Sequence, residues 1–245
     1  MGMEGAFRDA MPRARWVRRL LWLMIAGNLV ALAADGFERS VLARLQAKDF
    51  ASAEAFQVAA TWSDRLQAVT GAAQVVLLMA AYILGGMWIV QVARNVRALG
   101  ARDLEISPGW AVGWYAVPVG NLFKPFHAMQ EIWCASVSAA RWREMATPGW
   151  LRLWWGCWLV SNVLGQAALR LTLRAKGVDE LLLANSVSMV QKGADIVLCA
   201  AFALVVARVT AAQNAQWLAG AIPQPRESPT AGDPLVAVPP ALPET

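Results

Sequence analysis

Between Ser107 and Trp133 the chain reads SPGWAVGWYAVPVGNLFKPFHAMQEIW, an apolar stretch interrupted by Pro118, Gly120, Asn121 and Pro125. Arg94, Arg97 and Arg102 precede it, and Arg141 and Arg143 follow it. A backbone that breaks within lipid exposes amides that have no water to bond, so it must be buried in protein or line a polar cavity. The stretch therefore demands a surrounding set of helices, and it is where function is expected to concentrate.

The rest of the sequence supplies such helices. Hydrophobic residues make up 58% of the 245 residues and charged residues 16%, against about 45–50% and about 25% in ordinary soluble domains. The excess falls in long runs, as a bilayer solvent selects. Spans are expected at about 20–34, 68–92, 150–169 and 186–208. The last apolar run, taken from Leu181 to Arg208, would be about 42 Å long as a helix, so it must tilt or protrude from a core of about 30 Å. Residues 35–66 mix both charge signs with Leu42, Leu45, Phe56 and Trp62, and read as an extramembrane helical connection. The expected fold is an all-α integral membrane protein. It is a bundle of four transmembrane helices plus a re-entrant or interfacial helix pair, with the membrane domain covering 20–215. Residues 1–19 form a basic N-terminus. The run 20–34 reads as an uncleaved first helix. Its rival is a signal peptide ending at Ala31-Leu32-Ala33, which leaves the remaining topology unchanged.

Basic residues fix an orientation. Thirteen of the 22 Lys and Arg residues fall in the N-terminus, the 93–107 loop, the 141–152 region and the C-terminal tail, and seven fall in the other two loops. The positive-inside rule then places both termini in the cytoplasm. With that parity the broken segment, 107–140, enters from the inside and returns there. A re-entrant hairpin satisfies this, with one half-helix from Pro108 to about Val117, a turn over Pro118 to Leu122, and a second half-helix from Lys124 to about Ala140. Pro108 and Pro125 suit first-turn positions. Two short interfacial helices are the alternative.

Several function classes are disfavoured. The net charge of +5 is spread over loop ends, where anionic lipid headgroups account for it better than nucleic acid. Cys134, Cys157 and Cys199 show no metal-binding or disulfide spacing. Trp16, Trp110, Trp150, Trp154 and Trp155 lie near segment ends, as interfacial aromatic belts do. No GxSxG, Walker A, GxGxxG or HExxH motif stands in a usable context. From Ile222 the chain carries seven of its twelve prolines, and 222–245 reads as a disordered tail.

The pattern NVRALGA, then the broken stretch, then WLRLWWGCWLVSN, is similar to the bacterial membrane family catalogued as domain of unknown function 4328. The resemblance extends over roughly residues 16–215. It implies a multi-pass bacterial membrane protein and brings no catalytic residue or cofactor with it.

Two constellations could carry chemistry. Lys124, His127 and Glu131 fall within about 60° of arc on the second half-helix, and Asn121 could extend that face. Together they could form a proton relay or an anion site; the plainer reading is a salt-bridged interfacial face. On the last span Asn185, Ser188, Lys192, Asp195 and Cys199 share about 80° of arc. Lys192 and Asp195, three residues apart, are placed to pair. The third span offers Asn162 and Gln166, which share a face with Gly165, as partners. Gly85-Gly86 reads as a packing notch.

The expected function is that of a non-enzymatic interaction, sensory or assembly component of the bacterial plasma membrane, without a cofactor. Its partners would be the bilayer and either other proteins or further copies of itself. The alternative is a small transporter or channel that uses the broken segment and the polar face of the last helix. A lipid-acting enzyme with His127 and Glu131 as acid and base ranks third.

Overall fold

The computed structural model describes residues 6–221, so the tail expected at 222–245 lies outside the described residues. Every regular element among those residues is helical: α1 (Met11–Gln46), α2 (Ala53–Ala98), the four-residue α3 (Trp110–Gly113), α4 (Lys124–Val137), α5 (Gly149–Arg174) and α6 (Val178–Ala221). Short 3₁₀ turns cover Trp114–Ala116, Gly120–Leu122 and Trp142–Glu144.

Local chemistry explains the boundaries. The Ser52 hydroxyl accepts from the Ala55 amide at 3.1 Å and caps α2, with Glu54 in its first turn. Gly100 ends α2 in the left-handed region, at φ 97°. The Ala101 amide then reaches back to the Val96 carbonyl at 3.0 Å. Pro12 and Pro125 occupy first-turn positions of α1 and α4, where no amide is missed.

The helices are longer than the apolar runs implied. α1, α2 and α6 contain 36, 46 and 44 residues, or about 54, 69 and 66 Å. The stretch expected to be a separate connection, 35–66, is instead the continuous outer end of α1, a turn at 47–52, and the start of α2.

α1, α2 and α6 are each long and apolar enough to cross a membrane. α5, which corresponds to the expected span 150–169, is not among these three. Its run is diluted by Trp150, Trp154, Trp155, Trp158, Asn162 and Gln166.

Cross-helix contacts give the topology. Asn28 with Gln74, and Asp35 with Gln67, set α2 antiparallel to α1. Asp35 with Lys192, and Phe7 stacked on Trp217 at 4.7 Å, set α6 antiparallel to α1. Ser161 with Asp195, and Trp154 stacked on Phe202 at 5.6 Å, set α5 antiparallel to α6. Both ends of the described chain therefore lie at one end of the bundle, called here the terminal end; the 47–52 and 175–177 turns lie at the other.

The core occupies the terminal half, around Trp88, Val92, Val96, Met129, Leu151, Trp154, Val205 and Val209. The outward faces carry Leu29, Val69, Val76, Ile83, Val163, Leu173 and Val190, all more than half exposed. An apolar exterior around helices of this length is the surface a bilayer solvates.

Candidate functional site

The broken segment is a hairpin that returns to its starting level. Ile106 is held beside α2, where the Arg97 guanidinium donates to its carbonyl at 2.8 Å. Val112 then sits on Gly86, where an added Cβ would come within 3.3 Å of its methyl. Eleven residues of α2 separate Arg97 from Gly86, so the strand of the hairpin descends about 16 Å along that helix. The tip is a tight turn at Pro118-Val119-Gly120, with the Gly120 amide bonded to the Pro118 carbonyl at 2.7 Å and Val119 at φ 64°. On the return, the Glu131 carboxylate accepts from the amides of Glu105 and Ile106, each at 3.3 Å. Glu131 thus fastens the two legs at the mouth. The expected half-helices are both present, though the first is α3 followed by a 3₁₀ turn and the second stops at Val137 rather than near Ala140.

The hairpin leans on α5. The Trp155 indole donates to the Leu122 carbonyl at 3.2 Å, and Trp155 and Trp158 stack at 4.5 Å. Trp154 and Trp155 are therefore buried packing groups, which corrects their expected place in an interfacial belt; Trp16 and Trp110 do remain exposed.

The four residues proposed on this segment are only partly gathered. His127 and Glu131 line one cavity of about 420 Å³ at the terminal end, with Glu105, Trp142 and Arg143. Lys124 turns away, its ammonium 5.8 Å from the Trp114 ring. Asn121 closes the tip through its backbone, bonding the Val117 carbonyl at 2.9 Å. No bond joins Lys124, His127 and Glu131 among the described residues, so neither the relay nor the salt-bridged face considered for them is assembled. Burial raises the Glu131 pKa against the opposing effect of its two amide donors. Burial likewise pushes up the Cys134 thiol.

The polar stripe of α6 is assembled, with different partners from those expected. Lys192 does not pair with Asp195. Its ammonium donates to Asp35 of α1 at 2.7 Å and to Ser188 at 2.7 Å. The two charged side chains are 8% and 2% exposed, so each depends on the other for compensation. Gln67 of α2 donates to Asp35 and to Glu38, each at 3.0 Å. Asn185 donates to the Asp35 carbonyl at 3.0 Å and to the Glu38 carboxylate at 2.8 Å. Three helices are thereby pinned at one level.

Asp195 serves the neighbouring interface, accepting from Ser161 of α5 and from Gln191 of its own helix. The reason is angular. Lys192 faces α1 and Asp195 faces α5, and each finds a closer partner across its own interface. Asn162 and Gln166 are exposed, and Asn162 donates only to the Trp158 carbonyl of its own helix, at 2.8 Å. They are not the partners of the α6 stripe; Ser161 is.

A second buried network was not anticipated. Gln213 of α6 donates to the Val92 carbonyl at 2.9 Å and to Ser136 of α4 at 3.0 Å, and accepts from Asn95 of α2 at 3.1 Å. Gln91 and Asn95 hold the carbonyl of Arg8, and Trp88 donates to Thr210 at 3.1 Å. The signal was present in three amides, Gln91, Asn95 and Gln213, beside arginines at span ends. There they resemble solvated interfacial groups.

The domain of unknown function described as DUF4328 matches residues 52–211, 160 of the 245 residues. The chain belongs to the DUF4328 family. The matched region holds the hairpin, α5, Lys192 and Asp195, whereas Asp35 and Glu38 stand on α1, outside it. The DUF4328 description assigns no activity. No curated protein and no solved structure matches this chain.

Proposed function

We propose that this protein is a non-catalytic multi-pass component of the bacterial plasma membrane, acting in interaction, sensing or assembly, with both termini in the cytoplasm. One observation carries the reading: the charged groups at depth are consumed in fastening helices. Lys192 bonds Asp35 and Ser188, while Asp195 is taken by Ser161 and Gln191. Ionisable groups within a membrane are functional candidates by default, and here each is already bonded to a neighbouring helix, which supports a fastening role. On this reading α5 is a fourth span, tryptophan-rich because it braces a re-entrant hairpin. Its outward face, with Leu153, Val160, Val163 and Leu173, meets lipid or a partner chain.

The test is extraction in native lipid with a polymer, followed by mass measurement of the intact particle. A defined complex, with a further copy or another membrane chain, supports the reading. A lone chain under several growth conditions contradicts it.

The alternative, a small transporter, draws on the combination of a broken segment and a buried charge pair, which secondary transporters place near the midplane. Proteoliposome flux by the parent would favour it, and absence of flux in the parent removes it.

A further inference from the structure

At the terminal end, a cavity of about 380 Å³ is lined by Arg8, Arg13, Gln91, Arg94, Asn95 and Arg97, together with Ala6. Four guanidinium groups share it, and none of the described residues that line it is acidic. The arginines are built in rather than scattered. Gln91 and Asn95 hold the backbone carbonyl of Arg8 at 3.1 and 2.8 Å, which brings that residue over the cavity. Arg13 is anchored by the Gln91 side-chain oxygen, and Arg97 by the carbonyls of Ala93 and Ile106 at 2.7 and 2.8 Å. Arg8 and Arg94 are exposed, and their guanidinium groups have no side-chain partner among the described residues.

Arg13 and Arg94 also form the upper edge of an adjoining groove of about 390 Å³, which continues past Val90, Met87, Ile83 and Tyr82 and contains no acidic group. Tyr82, Gly86 and Val112 pass that groove on to an apolar cavity of about 150 Å³ between α1, α2, α5, α6 and the hairpin. From Arg94 to Ile83 is eleven residues, about 16 Å, which is close to half of a hydrocarbon core of about 30 Å. A cluster of positive charge at the headgroup level, with an apolar channel one leaflet long beneath it, is complementary to a single kind of molecule. We infer that this is a binding site for an anionic phospholipid of the leaflet at the terminal end. Its phosphate sits among Arg8, Arg13, Arg94 and Arg97, and one acyl chain runs along Val90, Met87 and Ile83. Guanidinium forks match phosphate oxygens, and basic pockets at the cytoplasmic ends of spans attract such headgroups. The inference rests on the bundle and its membrane setting and is independent of the role proposed above.

The test uses the full chain, delipidated in neutral detergent, with binding read by native mass spectrometry and by tryptophan emission. Phosphatidylglycerol and phosphatidylcholine with identical acyl chains are compared, along with inorganic phosphate as the headgroup charge alone. Phosphatidylglycerol is expected to bind the more tightly. Arg8→Gln with Arg94→Gln should cut that preference by about fivefold per arginine, about 25-fold together. Met87→Gln should weaken phosphatidylglycerol while leaving inorganic phosphate unchanged. Arg170→Gln with Arg174→Gln, at the other end, should leave the preference intact. Both removed arginines are exposed and bond nothing through their side chains among the described residues, so unchanged melting is expected and separates loss of binding from loss of fold. Equal binding of the two lipids by the parent overturns the inference, as does a preference that survives the double substitution. Inorganic phosphate that competes at concentrations equal to the lipid also overturns it, because the site would then be a free-anion site.

Discussion

The ammonium of Lys192 on α6 lies 2.7 Å from the Asp35 carboxylate on α1, with both side chains withdrawn from the surface. Asp35 stands 16 residues, about 24 Å, beyond Arg19 along α1, so the pair sits far from the arginine-rich end. An ion pair removed from water recovers its desolvation cost only if the remaining lone pairs and protons are also satisfied. Gln67 and Ser188 satisfy them here. The pair joins the DUF4328 region to a helix outside it, so α1 and α6 hold each other at this level.

The buried amide network makes a different demand. Gln213→Leu would take one bond each from the Asn95 amide, the Val92 carbonyl and the Ser136 hydroxyl, although Asn95 keeps the Arg8 carbonyl and Ser136 keeps the Ile132 carbonyl. Unmet buried polar groups cost about 1–3 kcal/mol each, relieved in part by relaxation. A loss of about 2 kcal/mol is expected, read by thermal unfolding in detergent. Gln216→Leu, one turn away and less enclosed, serves as the milder comparison.

The hairpin tip carries strain that can be removed. Val119 is β-branched yet sits at φ 64°, 71% exposed, where its side chain gains no packing to offset the conformation. Val119→Gly should stabilise the protein by about 1 kcal/mol, visible as a raised melting temperature. A lowered melting temperature would mean that the tip does not hold this turn.

The clasp at the hairpin mouth should respond to pH. Burial raises the Glu131 pKa, so the folded state binds the proton more tightly than the unfolded state. The contribution of the carboxyl to stability is therefore full below the unfolded value and falls as pH rises through the folded value. As pH rises above the ordinary glutamate value of about 4, the parent should lose stability relative to Glu131→Gln, which does not ionise. Parallel melting curves for the two proteins across that range would refute the assignment.

A hairpin that returns to its starting level has a topological consequence. Cysteines introduced at Gly100 and Met145 should label from the same side of the membrane, and one at Lys176 from the other. Opposite labelling of Gly100 and Met145 would mean that the broken segment crosses completely. Native Cys134, whose thiol is pushed up by burial, should label slowly in the parent.

Much of the architecture was legible in the sequence because its signals are local. Pro118, Gly120 and Pro125 mark a break whatever surrounds them, and the flanking arginines prescribe a return to the same side. The polar stripe of α6 followed from helical periodicity alone. What periodicity lacks is the azimuth of the neighbouring helices. It placed Lys192 beside Asp195, whereas α1 and α5 approach α6 from different sides and draw the two apart. For the same reason Asn162 was favoured over Ser161, although a rotation of one residue, about 100°, separates the buried side of α5 from the exposed one. α5 itself illustrates the limit of hydropathy, since the tryptophans that dilute its apolar run are the groups that hold the hairpin.

The central claim is that the charges at depth fasten helices to one another. It is tested most directly by comparing the thermal stability of Lys192→Met, Asp35→Leu and the combined protein in the same detergent. The account predicts that each single change costs about 3–5 kcal/mol, because it leaves an uncompensated buried charge, and that the combined change restores most of that loss. Single changes that are nearly neutral, or losses that simply add in the combined protein, would contradict it.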